Sequence, residues 1–217
     1  MKKFKITGVL PAMAAVAVLA AGASPQAAAE PVSIVAFGDS LTAGYGLDPG
    51  QAFPEQLERA LRQRGMDVTV TNAGVSGDTA SNGLARLEWS VPADADIVIV
   101  ELGANDALRG IDPAITRKAL SDILATLRER GQTVLLAGML APRNMGDAYA
   151  ADFNAIYPEL AARYGVPLYP FFLEGVAADR SLNLPDGVHP TAEGIGKIVD
   201  AILPEVETLV RQATASG

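Results

Sequence analysis

Short apolar, β-branched runs alternate along the chain with stretches whose apolar residues recur every three or four positions. Residues 32–37 form the first apolar run, ending in Gly38, and predict a strand. Residues 51–64 predict a helix, with Phe53, Leu57, Ala60 and Leu61 on one face and Gly65 as its stop. A second strand is expected over 68–71, ended by Asn72 and Gly74, and a helix over 79–89, closed off by Pro92. Residues 97–100 are wholly apolar, the pattern of a strand covered on both faces. The spacing then predicts a helix over 113–130, with Asp112 as N-cap, Pro113 at the first helical position and Gly131 at the end. A fourth strand over 134–137, a helix over 148–164, and a fifth strand over 166–172 around two prolines follow. The last helix is expected over 191–210, interrupted or kinked near Pro204, with residues 212–217 as a frayed tail.

This order of elements implies an α/β fold: a three-layer α/β/α sandwich on a five-stranded parallel sheet, joined by right-handed crossovers. Ligands in such sheets bind beyond the carboxyl ends of the strands. The residues just after each strand are therefore the ones to read for chemistry.

The first 29 residues belong to a different pattern. Met1-Lys2-Lys3-Phe4-Lys5 is a basic start, residues 6–23 are apolar and rich in Ala and Val, and Ala27-Ala28-Ala29 supplies small residues at the cleavage positions. Pro11 and the small residues from Gly22 onward speak against a membrane anchor, which needs about 20 consecutive apolar residues. Residues 1–29 are thus expected to be a cleaved signal peptide and 30–217 a single domain, periplasmic or secreted. The formal net charge of −8 becomes more negative once Lys2, Lys3 and Lys5 leave with the leader. Nucleic acid and anionic membrane surfaces are excluded as partners, since both select clustered Lys and Arg. With no cysteine, disulfides, a thiol nucleophile and a lipid-modified cysteine are all excluded. One histidine and no cysteine also argue against a transition-metal site, and no cofactor is expected. A monomer is the expected state.

Four segments at strand ends carry candidate chemistry: residues 38–46, opening Gly38-Asp39-Ser40, after the first strand; Asn72-Ala73-Gly74-Val75-Ser76-Gly77-Asp78-Thr79 after the second; Glu101-Leu102-Gly103-Ala104-Asn105-Asp106 after the third; and Asp186-Gly187-Val188-His189-Pro190 before the last helix. Each alone reads equally well as a turn. Together on one sheet edge they make a set. A serine hydroxyl needs a base within hydrogen-bond reach. His189 is the chain's one histidine, the residue type whose ordinary pKa suits that work. Asp186, three residues earlier, can orient its ring. The backbone amides of Ser40 and Gly74 and the side-chain amide of Asn105 are the expected oxyanion donors.

These blocks resemble the SGNH, or GDSL, hydrolase superfamily, which has a flavodoxin-like fold, with Ser40, Gly74, Asn105 and His189 matched to its four centres and Asp186 to its Asp-x-x-His pattern. Residues 38–46, 77–79, 83–87, 101–110 and 156–158 are most similar to its bacterial arylesterase, acyl-CoA thioesterase I and lysophospholipase L1 group. Ala104 departs from the glycine usual there. The resemblance implies a serine esterase acting on small acyl or aryl esters, with thioesters equally open, and a loop over 106–111 that borders the acyl groove. Asp39, Ala107, Leu108, Ile111, Leu140 and Pro142 are the candidate substrate contacts. Apolar residues near the strand ends favour an acyl or aryl group over a sugar. For Phe171 and Phe172 a core-capping role is as good a reading. A carbohydrate O-deacetylase is the alternative, and a non-catalytic binding module would be expected to lack Ser40, Asn105 or His189.

Overall fold

The structure is a computed structural model, and it describes residues 1–5, 8 and 30–216. The leader expected over 1–29 lies outside the described residues apart from its first five and Gly8. Five strands, β1 (Val32–Gly38), β2 (Val68–Gly74), β3 (Ile97–Glu101), β4 (Thr133–Ala137) and β5 (Leu168–Tyr169), form one all-parallel sheet in the order β2-β1-β3-β4-β5. Every residue of β3 is buried, as its apolar run requires. Helices α2 (Phe53–Gln63) and α8 (Ala192–Ser216) pack together over one face, and α3 (Ala80–Ser90), α5 (Pro113–Glu129) and α7 (Ile156–Tyr164) over the other. Between them lies the core, centred on Ile34, Phe37, Leu57, Ile97, Ile99, Leu120 and Leu135. The expected three-layer sandwich is the observed fold.

Four local differences have physical causes. The helix expected over 148–164 is two helices, α6 (Asp147–Asn154) and α7, joined at Ala155. Pro158 has no N–H to return to Asn154, so the ladder breaks one turn upstream of it. The fifth strand is only two residues long, because Pro167 and Pro170 flank it and cannot donate to a ladder. By contrast α8 runs through Pro204 to Ser216, so the expected tail is helical, and burial of Val206, Leu209 and Val210 outweighs the lost proline bond. Two short helices escaped the periodicity altogether: α1 (Ser40–Ala43) and α4 (Ala104–Leu108).

The strand order fixes where chemistry can sit. In a sheet ordered 2-1-3-4-5 the chain leaves β1 and β3 in opposite directions, which opens a crevice at their carboxyl ends. Helices α1 and α4 start at that crevice.

Candidate active site

Asp39 opens the site from below. It caps α1 by accepting the Leu41 amide at 3.0 Å on Oδ1, and its Oδ2 accepts the Asn105 Nδ2 at 2.9 Å. Its side chain is fully buried, and burial, against the opposing pull of those two bonds, pushes its carboxyl up to about 6. Glu101, the last residue of β3, lies beside it, accepting Thr42 Oγ1 at 2.8 Å and the Asp39 amide at 3.4 Å on Oε2. Burial and the neighbouring Asp39 charge hold Glu101 well above the usual carboxylate range. Asp39, expected among substrate contacts, is thus a buried support behind the Ser40 turn.

Ser40 is the first residue of α1, and its Oγ lies 2.9 Å from His189 Nε2. The other ring nitrogen, Nδ1, is 2.6 Å from Asp186 Oδ2. Asp186 Oδ1 accepts the amides of Val188 at 2.9 Å and His189 at 3.0 Å, a tight turn. Those backbone bonds, together with the histidine, lower Asp186 to about 2. Asn183 pairs with Pro190 as an isolated bridge and anchors to the carbonyls of Val176 and Asp179, which fixes the base of this loop. The Tyr45 ring lies against His189, with centroids 4.5 Å apart and planes inclined by 37°. The structure therefore joins Ser40, His189 and Asp186 in one hydrogen-bonded line.

The expected oxyanion donors are not equally free in the structure. The Gly74 amide donates to Asn72 Oδ1 at 3.0 Å, and the glycine is there for a different reason. A Cβ on Gly74 would lie 2.3 Å from the Ala43 nitrogen, so the residue lets β2 end against α1. Gly77, at φ +88°, has a backbone N–H with no acceptor among the described residues, and its carbonyl accepts Arg109 Nη2 at 2.8 Å. The next residue, Asp78, accepts Asn105 Nδ2 on its carbonyl at 3.0 Å. Gly77, not Gly74, thus carries the unengaged amide beside Asn105. The Ser40 amide opens the first turn of α1, where an amide has no intrahelical acceptor. Asn105 spends its amide group on Asp39 and Asp78, and reaches a third acceptor only by sharing or yielding one of them.

The remaining candidates divide by exposure. Leu108 and Leu140 are exposed, and Ile111 and Pro142 are half-buried. Ala107 is 1% exposed within the core, so it offers nothing to a ligand; α4 turns that face inward. Phe172 is fully buried, edge-on to Phe53 at 5.0 Å, and Phe171 packs on the core; both cap it. Tyr45, Val75 and Val188 add exposed apolar surface on the segments after β1 and β2 and on the His189 loop.

Three further residues, given no role of their own from the sequence, hold this edge together. Asp106 accepts the Ala80 amide at 2.9 Å and Thr116 Oγ1 at 2.8 Å, tying α4 to the starts of α3 and α5. Asp78 and Arg86 form a buried ion pair at 2.6 Å. A signal for Arg86 exists in the sequence: it stands three residues after Gly83 on the helix stripe that faces the sheet, where a charge is out of place.

Residues 36–195 match the model of the GDSL-like lipase/acylhydrolase family. The chain is 39% identical to an arylesterase of Vibrio mimicus over 80% of this chain and 87% of that protein. It is 37% identical to the thioesterase 1/protease 1/lysophospholipase L1 of Escherichia coli (strain K12), over 82% of this chain and 85% of that one. Among solved structures it is similar to AlinE4, an SGNH-hydrolase family esterase, at 48% identity and a TM-score of 0.71, covering 83% of this chain and 97% of that chain.

Proposed function

The chain belongs to the GDSL-like lipase/acylhydrolase family, and on that premise we propose that it is a serine carboxylic ester hydrolase, with thioesters as a second substrate class. The observation that carries this reading is the line Asp186–His189–Ser40 at 2.6 and 2.9 Å. Ser40 Oγ attacks the acyl carbonyl while His189 takes its proton on Nε2. The ionised Asp186 holds the ring and balances the imidazolium charge. The carbonyl oxygen becomes an oxyanion, bound by the amides of Ser40 and Gly77 and by the Asn105 side chain as it relaxes its hold on Asp39 or Asp78. Collapse returns the His189 proton to the leaving alcohol or thiol, and an acyl-Ser40 remains. Water, deprotonated by His189, then attacks the acyl carbon, releases the carboxylic acid and restores the serine.

An acyl or aryl group is supported by the rim. Tyr45, Val75, Leu108, Leu140 and Val188 are exposed apolar residues on the loops around the Ser40 edge. One methylene in an apolar groove is worth only about 1–3 kcal/mol, so a broad range of acyl lengths is expected. Export to the periplasm or beyond is supported by the basic, then apolar, first 29 residues; N-terminal sequencing of the exported product should begin at Glu30. No helix among the described residues is long and apolar enough to cross a membrane.

Ser40→Ala and His189→Ala should each abolish p-nitrophenyl butyrate hydrolysis while the circular dichroism spectrum is unchanged. More than a few per cent of residual turnover in Ser40→Ala would sink the mechanism. Asn105→Ala should lower kcat by about 100-fold or more with little change in KM, since its bond forms in the transition state. Parallel assays with acyl-CoA thioesters, lysophospholipid and acetylated sugars separate the ester, thioester and deacetylase readings.

A further inference from the structure

We propose that Arg86 is a positioning residue that holds the oxyanion-binding loop in register with the nucleophile; the proposal rests on the esterase reading above. Arg86 lies on α3 with only 9% of its surface exposed. Its guanidinium makes three bonds in one plane. Nε donates to Asp78 Oδ2 at 2.6 Å, Nη1 to the Ala73 carbonyl at 2.9 Å and Nη2 to the Gly38 carbonyl at 2.8 Å. Its carbon centre lies 4.3 Å above the Phe37 ring, which fixes the remaining face.

All three acceptors belong to the segments that carry the reacting groups. Ala73 and Asp78 are the two ends of the loop that bears the Gly77 amide. Gly38 is the last residue of β1, two before Ser40. The Asp78 carbonyl in turn receives Asn105 Nδ2, so moving Asp78 moves two of the three donors at once. A second strut runs between the same segments, from the Val75 amide to the Gly38 carbonyl at 3.0 Å. Arg86 touches no reacting atom. Its fork sets the distance between the attacking oxygen and the donors that receive the negative charge.

A role confined to folding stability explains this less well. Buried ion pairs contribute little net stability compared with apolar packing, because desolvation of both charges offsets their attraction. A planar cation with donors in fixed directions instead specifies geometry, and lysine cannot reproduce it. A shift of about 1 Å in catalytic geometry costs roughly 100-fold in rate.

The test compares wild type with Arg86→Lys and Asp78→Asn on p-nitrophenyl butyrate, with Ser40→Ala as reference. Inhibition by n-butylboronic acid, which forms a tetrahedral adduct on an active serine, is measured in parallel. For Arg86→Lys we expect kcat to fall about 10- to 100-fold with KM within about threefold of wild type. The boronate Ki should rise by a factor similar to the loss in kcat/KM. Asp78→Asn should shift both in the same direction by a smaller factor, and it carries the test alone if Arg86→Lys melts below the assay temperature. Folded variants with kcat within twofold of wild type overturn the proposal. So does a fall in kcat with boronate affinity unchanged, since the loss then bypasses the oxyanion donors. Activity surviving in Ser40→Ala would instead overturn the underlying esterase reading.

Discussion

Tyr45 illustrates how a single residue acts on the site without forming a bond to it. Its ring lies 4.5 Å from the His189 ring, and the tyrosine itself is half exposed. In the proposed mechanism His189 takes the serine proton and becomes a cation over an aromatic face, an attraction worth about 0.5–1 kcal/mol at an exposed site. Tyr45→Leu should therefore lower kcat by roughly two- to fivefold, and Tyr45→Phe should retain wild-type kcat because the face is kept. Equal losses in both variants would instead assign the effect to the hydroxyl. Residues of this kind are hard to read from sequence, because they act by proximity. Ser40, Asp186 and His189 were legible because the chain has one histidine, a carboxylate three residues before it, and a serine in a strand-end turn. Gly77 was not: Gly74 and Gly77 stand three residues apart after the same strand, and the engagement of the Gly74 amide by the Asn72 side chain shows only in three dimensions. Arg86 shows in the sequence only as a charge on a buried stripe, and its partners were not legible, because its acceptors lie 8, 13 and 48 residues away.

At the scale of elements, legibility followed length. β1 to β4 and helices α2, α3 and α5 matched their expected positions to within a few residues, because each is long enough to show a period or an unbroken apolar run. The helices that matter most to the site are too short to have one. α1 has four residues and α4 has five, and their ends are set by Asp39 capping and by the tertiary bonds of Asp106. Such one-turn helices are marginal by themselves and exist because the surrounding contacts hold them. Their function is directional. They deliver Ser40 and Asn105 to the mouth of the β1/β3 crevice, which a turn of arbitrary shape would not do.

For the whole molecule, the pair Asp39 and Glu101 makes stability depend on pH in an unusual direction for carboxylates. Asp39 titrates near 6 in the folded chain and near 3.9 when unfolded. Between those values the folded state binds the additional proton, so stability falls as pH rises through the window. Glu101, raised by burial and by the Asp39 charge, acts with the same sign. Asp186 works oppositely, but its contribution is lost only as pH falls through its low folded value, below this window. Scanning calorimetry should give a higher Tm at pH 5 than at pH 7.5, and Glu101→Gln should narrow that difference. An identical difference in the variant would remove the buried pair as its cause.

The His189 ring, aligned between Asp186 and Ser40, has a practical consequence. Because the chain contains one histidine, every imidazole proton resonance in its NMR spectrum comes from this ring, with no isotope scheme or assignment needed. The Tyr45 ring current should displace those lines, so ligand entry, acylation and loss of the tyrosine each become visible in a one-dimensional spectrum. The proposed reacting centre thus doubles as its own spectroscopic label.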